Sequence, residues 1–408
     1  YYYWSATASV ILSEYLQKDW LDFAKLRANV ANVYSGTVPY RVFDAYTINA
    51  GFGSTGSASN PGSKNNSTLR PEKTKNWEIG LETNMFDRRL GFDITYYNTT
   101  SEDQITAVPV SNATGFTSVL LNAGSIENKG IELQLKGNPV RTDDFRWDVN
   151  FNWARNRNKV LSLADGIENL ELGSFQGGVS INASPGSPVG IIRGRDFVYK
   201  DGQKVIGTNG RYLRTATSNE IIGDTNPDWT GGIQNMFRYK NFDFSFLIDI
   251  QSGGDLFSLD TYYGYGTGLY DFTAGNNELG NPYRNTVANG GGVLFPGVQA
   301  DGSVNTVRAE ATSAGLWGYR MPSAQHVYDA SFVKLREMSL TYNFDTSSLG
   351  KSFKAASLSI IGRNLWIIHK NTPYADPEAG LSSGNLQGMH SGTYPAIKEI
   401  GASLKLKF

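Results

Sequence analysis

The sequence contains no cysteine, so neither a disulfide framework nor a thiolate-bound metal is available to it. Its three histidines, His326, His369 and His390, lack H-E-x-x-H or any related spacing, and no other cluster supplies a metal-ligand set. No acidic loop of the calcium-binding pattern occurs either. No cofactor and no metal are therefore expected. Charge is sparse: 37 Lys and Arg face 38 Asp and Glu, a net charge of −1. A nucleic-acid binder needs a basic stripe for the phosphates, which this balance does not offer. Long apolar runs are absent too. Nothing approaches the roughly 18–20 residues that a membrane-spanning helix requires. A chain of this kind could cross a membrane only as a closed β-barrel, which leaves no backbone N–H or C=O unpaired in lipid.

What is abundant fits that alternative. The chain holds 22 Tyr, 21 Phe, 8 Trp and 45 Gly, a balance that suits aromatic-rich strands joined by Gly, Asn and Ser loops, not a helical bundle. Period-two alternation places one side-chain set on lipid and the other in a lumen. Trp77, Ile79 and Leu81 alternate with Glu78, Gly80 and Glu82. Leu90, Phe92, Ile94 and Tyr96 alternate with Gly91, Asp93 and Thr95. The same reading holds for Ile131–Lys136, Phe145–Trp153 and Phe242–Ile250. Less regular strands fit at 2–11, 21–33, 229–240, 331–344, 354–369 and 397–408, giving eleven. Many span about 10 residues or more, longer than the roughly 5 or 6 of a sandwich strand and enough for a tilted membrane strand.

Connections alternate in length. Short ones fall at 12–20, 87–88, 138–144, around 241 and at 345–353. Long ones fall at 34–73, 100–124, 159–228, 254–330 and 370–396, and are expected to be structureless. Outer-membrane barrels pair short periplasmic turns with long extracellular loops. The first strand is therefore expected to start outside the cell and the last to end in the periplasm. Eleven strands so arranged cannot close, and the chain opens on Tyr1-Tyr2-Tyr3-Trp4 without Met or secretory signal. Residues 1–408 are thus expected to be the C-terminal portion of a barrel. In the final strand Leu404, Leu406 and Phe408 alternate with Lys405 and Lys407. An aromatic last residue on such a strand resembles the signal read by the barrel-assembly machinery.

Several stretches carry a family resemblance. Pro71-Glu72-Lys73-Thr74-Lys75-Asn76-Trp77-Glu78-Ile79-Gly80-Leu81-Glu82 and Asn128-Lys129-Gly130-Ile131-Glu132 resemble two strands of TonB-dependent receptors. Gly223-Asp224-Thr225-Asn226-Pro227-Asp228-Trp229, Gln251-Ser252-Gly253-Gly254-Asp255, Gly362-Arg363-Asn364-Leu365 and the triad Asp376-Pro377-Glu378 narrow the resemblance to the SusC/RagA class of Bacteroidetes importers. That resemblance implies an all-β transmembrane antiparallel barrel of about 22 strands, of which these eleven form the C-terminal half. It also implies an N-terminal plug and TonB-contacting segment that this chain lacks. Implied partners are a SusD-like surface lipoprotein, TonB-ExbB-ExbD through the missing N-terminal region, the barrel-assembly machinery and outer-membrane lipid. The implied activity is active import of an oligomer, glycan or peptide. A passive porin or surface receptor stands as the alternative.

No enzyme is expected. Gly264-Tyr265-Gly266-Thr267-Gly268 loosely resembles a nucleotide loop, but lacks the surrounding strand–helix unit and is expected to be a flexible extracellular loop. In the long loops, aromatic faces could stack on sugar rings or peptides, or simply pack loop on loop. Trp317 and Tyr319 are assigned to solute contact, with Tyr262, Tyr263 and Tyr265 as further candidates. Arg193 and Arg195 could meet an anionic solute or an acidic partner. Glu78, Glu82, Asp93, Glu132, Lys136, Arg146 and Asp148 are expected to face the lumen or the plug. Trp77, Trp147, Trp153, Tyr96 and Tyr342 are expected to face lipid.

Overall fold

A computed structural model describes residues 2–345 and 353–408. Eleven long strands form an antiparallel sheet in which the order is simply chain order. They are β1 Trp4–Ile11, β2 Leu21–Ser35, β3 Glu72–Met85, β4 Leu90–Glu102, β5 Gly124–Arg141 and β6 Phe145–Leu163, followed by β7 Pro227–Tyr239, β8 Phe242–Gly253, β9 Phe332–Asn343, β10 Ala355–Lys370 and β11 Glu399–Lys407. All eleven expected strands are present. Most of the short connection expected at 345–353 lies outside the described residues.

The chain divides into two compact units. The first contains β1–β6 and residues 233–239 of β7. Here the pairing register turns sequence alternation into two distinct faces, because directly opposed residues share a face. Val10, Leu26, Leu81, Ile94, Leu133 and Trp153 form one continuous apolar row across the six strands. One residue along, Lys25, Glu82, Asp93, Gln134 and Asn152 form a polar row on the other face. A register slip of one residue would exchange the two faces. On the apolar face Trp77 and Ile79 are 46% and 44% exposed, and Trp77 meets Tyr96 at 5.4 Å. Soluble proteins seldom leave so continuous an apolar strip uncovered.

The polar face is held by charge. Arg27 forms a bidentate pair with Asp93 (2.6 and 2.9 Å) and also reaches Thr95, while Lys25 pairs with Glu82 at 3.0 Å. These contacts explain two glycines of the resembling motifs. A Cβ on Gly80 would sit 2.7 Å from the Arg27 guanidinium, and one on Gly130 would sit 2.4 Å from the Arg155 carbonyl and 2.6 Å from the Tyr97 hydroxyl. The long side chain of the neighbouring strand occupies the space each glycine leaves.

Between β2 and β3 a hairpin, Thr47–Phe52 with Thr55–Ser59, projects with every residue exposed. Ile48 and Phe52 are 82% and 91% exposed, and residues 45–63 carry no charge.

The second unit contains the first part of β7 and β8–β11. It repeats the two-faced logic. Phe244, Leu340, Ile360 and Ala402 align in one row, and Asp243, Thr341, Ser359 and Ser403 in the next. Its long connections depart from expectation. They are folded, with cores of their own. One core gathers Ile206, Phe295, Ala309, Leu316, Trp317 and Met321; another gathers Val179, Ile181, Ile192, Phe257, Leu259 and Met389. Short strands such as Ile191–Gly194, Glu220–Asp224 and Asp255–Ser258 support the second core, and isolated bridges and turns support the first. Such short pieces leave no readable period in the sequence.

Gly264–Gly268, expected to be a flexible loop, is the closing turn of the helix Leu259–Thr267, which ends on Gly268 at φ 74°. The Ser258 hydroxyl caps its start by accepting the Thr261 N–H at 3.2 Å. The rings of Tyr270 and Tyr319 lie against Gly264 and Gly266.

Candidate solute site in the loops

The second unit concentrates chemistry where the loop 371–398 meets β8 and β9. Lys334 and Arg336 stand two apart on β9, Arg336 at a bulge, and both reach Glu378. Lys334 Nζ donates to Asp376 and to Glu378 at 2.5 Å each. Arg336 bonds Glu378 and, at 2.6 Å, Asp249 of β8. The Lys334 side chain is 5% exposed. Burial alone would raise the pKa values of Asp376 and Glu378. Hydrogen bonds and charge from Lys334, and for Glu378 also from Arg336, instead hold both below the ordinary carboxylate range. The triad Asp376-Pro377-Glu378 is thus the loop's half of a five-residue ionic latch.

Two of the other resembling motifs meet nearby. Asp255, closing Gln251–Asp255, accepts the Asp224 N–H at 2.9 Å, and Thr225 bonds the Gly190 carbonyl at 3.0 Å. Burial pushes the Asp255 carboxyl up, and the neighbouring charges of Asp329, Asp224 and Asp228 add to the rise. Asp255 lines a cleft of 740 Å³ together with Thr225, Gln251, Glu378, Gln387 and His390. These polar groups could bond solute hydroxyls or amides.

A second, smaller pocket of 190 Å³ adjoins His390. Tyr270 and Tyr374 wall it with ring centroids 4.5 Å apart at 42°. Behind them lies an aromatic group around Tyr265, whose ring is 4.9 Å from Tyr270, 4.8 Å from Phe272 and 5.7 Å from His326. His326 is fully buried; its Nδ1 meets the Thr261 hydroxyl at 3.0 Å and its Nε2 faces the Gly318 carbonyl. Burial raises the Tyr265 phenol pKa well above its usual value.

The residues selected from sequence are distributed unevenly. Trp317 is 9% exposed and packs against Tyr283 at 5.7 Å and Phe272 at 6.3 Å. It belongs to a loop core. Tyr262 packs beside Phe257, Tyr263 and His326. Tyr263 and Tyr319 expose more of their surface, 42% and 40%. Arg193 donates to the Asn219 carbonyl at 2.6 Å, and the Arg195 carbonyl accepts the Ala324 N–H.

In the first unit, Lys136, Arg146 and Asp148 converge with Arg88, Arg89 and Arg141 on a cleft of 430 Å³. Arg146 pairs with Asp148 at 2.6 Å. Glu82, Asp93 and Lys136 share a neighbouring recess. Glu78 and Glu132 lie on the same polar face by register. Leu404, Leu406 and Phe408 are exposed at the last strand, where Phe408 meets Phe353 at 5.0 Å. Sequence reading missed Asp260, Tyr374, Lys334 and Arg336 as site residues. Their partners are distant in the chain, and the Asp376-Pro377-Glu378 and Gln251–Asp255 motifs pointed only to the region.

Long antiparallel strands with one apolar and one charged face are those of a β-barrel wall, and part of the chain is similar to TonB-dependent receptors. Residues 2–186 match the family model described as TonB dependent receptor-like, beta-barrel. The chain is 29% identical over 373 residues to TonB-dependent receptor P3 of Formosa agariphila, covering 84% of this chain and 35% of that protein. It is 23% identical over 369 residues to TonB-dependent receptor SusC of Bacteroides thetaiotaomicron, covering 84% of this chain and 32% of that protein. A solved structure of the RagAB peptide transporter superposes on the whole chain and on 43% of its own, with TM-score 0.74 at 21% identity; this likeness concerns the fold. The chain therefore spans well under half the length of these relatives.

Proposed function

We propose that these residues form part of the barrel of an active importer that carries an oligomeric nutrient, glycan or peptide, across the outer membrane. The observation that carries this reading is the pairing of a lipid-compatible wall with folded, cleft-bearing loops. A passive pore has less need of clefts built from latched loops. Similarity to receptors named TonB-dependent supports energy coupling. In this reading TonB-ExbB-ExbD acts through sequence outside these 408 residues, and a SusD-like lipoprotein covers the loops. The short connections face the periplasm, where the C-terminus also lies. Phe408, with Leu406 and Leu404, serves as the assembly signal.

The polar row of Glu82, Asp93, Lys136, Arg146 and Asp148 faces the interior in this reading, where it meets water or a plug. Uptake of the solute by cells with and without TonB tests the energy coupling. Loss of uptake without TonB is expected. Equal uptake in both strains would make the protein a passive pore or receptor.

A further inference from the structure

The 190 Å³ pocket between the helix Leu259–Thr267 and the segments around Tyr374 and His390 has a definite chemical bias. Of its two carboxylates, Asp376 is paired with Lys334, which leaves Asp260. One Asp260 oxygen accepts the Gly392 N–H at 2.8 Å, and among the described residues no Lys or Arg pairs with it. His390 is 3% exposed. Its Nδ1 lies 3.3 Å from the other Asp260 oxygen, yet out of line for a hydrogen bond, so this buried nitrogen has no hydrogen-bond partner among the described residues. A buried polar atom left in that state is destabilising, unless something that enters the pocket bonds it. The walls are the Tyr270 and Tyr374 rings with Pro373 and Pro395. Ring faces are negative and attract cations, and the Asp260 side chain, 37% exposed, is open to what enters the pocket.

We propose that this pocket binds a compact organic cation, an alkylammonium or guanidinium of the kind a lysine or arginine side chain presents. One N–H of the cation bonds the Asp260 carboxylate and a second bonds His390 Nδ1, while the alkyl stem lies against Tyr270 and Tyr374. Burial lowers the His390 pKa, which keeps the imidazole neutral and able to accept. Sulfate, phosphate or carboxylate groups are repelled by Asp260. A neutral sugar hydroxyl could reach Asp260 but would leave its charge uncompensated. The proposal deepens the import reading by selecting basic peptides among the possible solutes, and rests on that reading only for its biological meaning.

The test uses the full-length protein in detergent and titrates acetyl-Ala-Lys-Ala-amide against its isostere acetyl-Ala-norleucine-Ala-amide by calorimetry. No energy coupling enters this assay, so its outcome is independent of TonB. The lysine peptide is expected to bind at least about tenfold more tightly. Asp260→Asn should abolish that preference, and Tyr374→Ala, which truncates an exposed ring, should reduce it several-fold. Equal affinity for the two peptides would overturn the proposal. So would a preference that survives Asp260→Asn in protein that keeps its heat-modifiable barrel. If Asp260→Asn does not fold, Tyr374→Ala decides alone, an unchanged preference counting against the site.

Discussion

Burial sets the chemistry of His326. Enclosed by Thr261, Tyr262, Tyr265 and Gly318, its imidazole is pushed down to about 4 by desolvation, only partly opposed by the Gly318 carbonyl. An unfolded imidazole titrates near about 6.5. The folded loop therefore holds the neutral form, and below pH 6.5 the unfolded chain binds the proton first. Loop stability is expected to be full above pH ~6.5 and to fall as pH drops toward 4, by on the order of 2–3 kcal/mol. Melting followed by near-ultraviolet dichroism should show that slope, and His326→Gln should flatten it. His390, also lowered by burial, leaves a residual slope of the same sign. Identical profiles for the two proteins would refute the assignment. The same residue shows a limit of sequence reading. Nothing local distinguishes a buried histidine from a ligand, because its partners lie 65 and 8 residues away. Trp317 makes the same point, since a ring that stacks on solute and one that fills a core look alike in sequence.

The strands were the legible elements. Their alternation in β3 to β6 and β8 is a local pattern, and the paired rows follow from it directly. β2 alternates less regularly and does not single out Lys25 and Arg27, although they pair with the expected Glu82 and Asp93. The alternation Lys25-Leu26-Arg27-Ala28-Asn29-Val30 held that signal. Loop structure was hidden for a different reason: its strands are too short to display a period, and its cores join residues scattered from Ile206 to Met321. The two faces make a sharp contrast. Ile94→Lys puts a charge in the middle of the apolar row and is expected to cost about 2–4 kcal/mol at the bilayer centre. Gln134→Lys puts the same charge beside Asp93 on the polar row and is expected to stay within about 0.5 kcal/mol. Denaturant unfolding from lipid vesicles measures both, and equal losses would contradict the assignment of faces.

At the scale of the whole molecule, the proposed assembly signal lies at the last strand. β11 pairs with β10 from Ala355↔Lys407 to Arg363↔Glu399, and Phe408 lies just beyond that ladder. If Phe408 is read during assembly, its deletion should reduce the heat-modifiable protein in the outer membrane several-fold while synthesis is unchanged. Normal insertion of the truncated protein would remove that role. The hairpin between β2 and β3 has a different kind of consequence. Because residues 45–63 contain no Lys, Arg, Asp or Glu, trypsin and glutamyl endopeptidase have no bond to cut in this exposed arm of the first unit, whereas chymotrypsin finds Tyr46 and Phe52. To a protease-rich environment this arm is open in structure but closed in specificity.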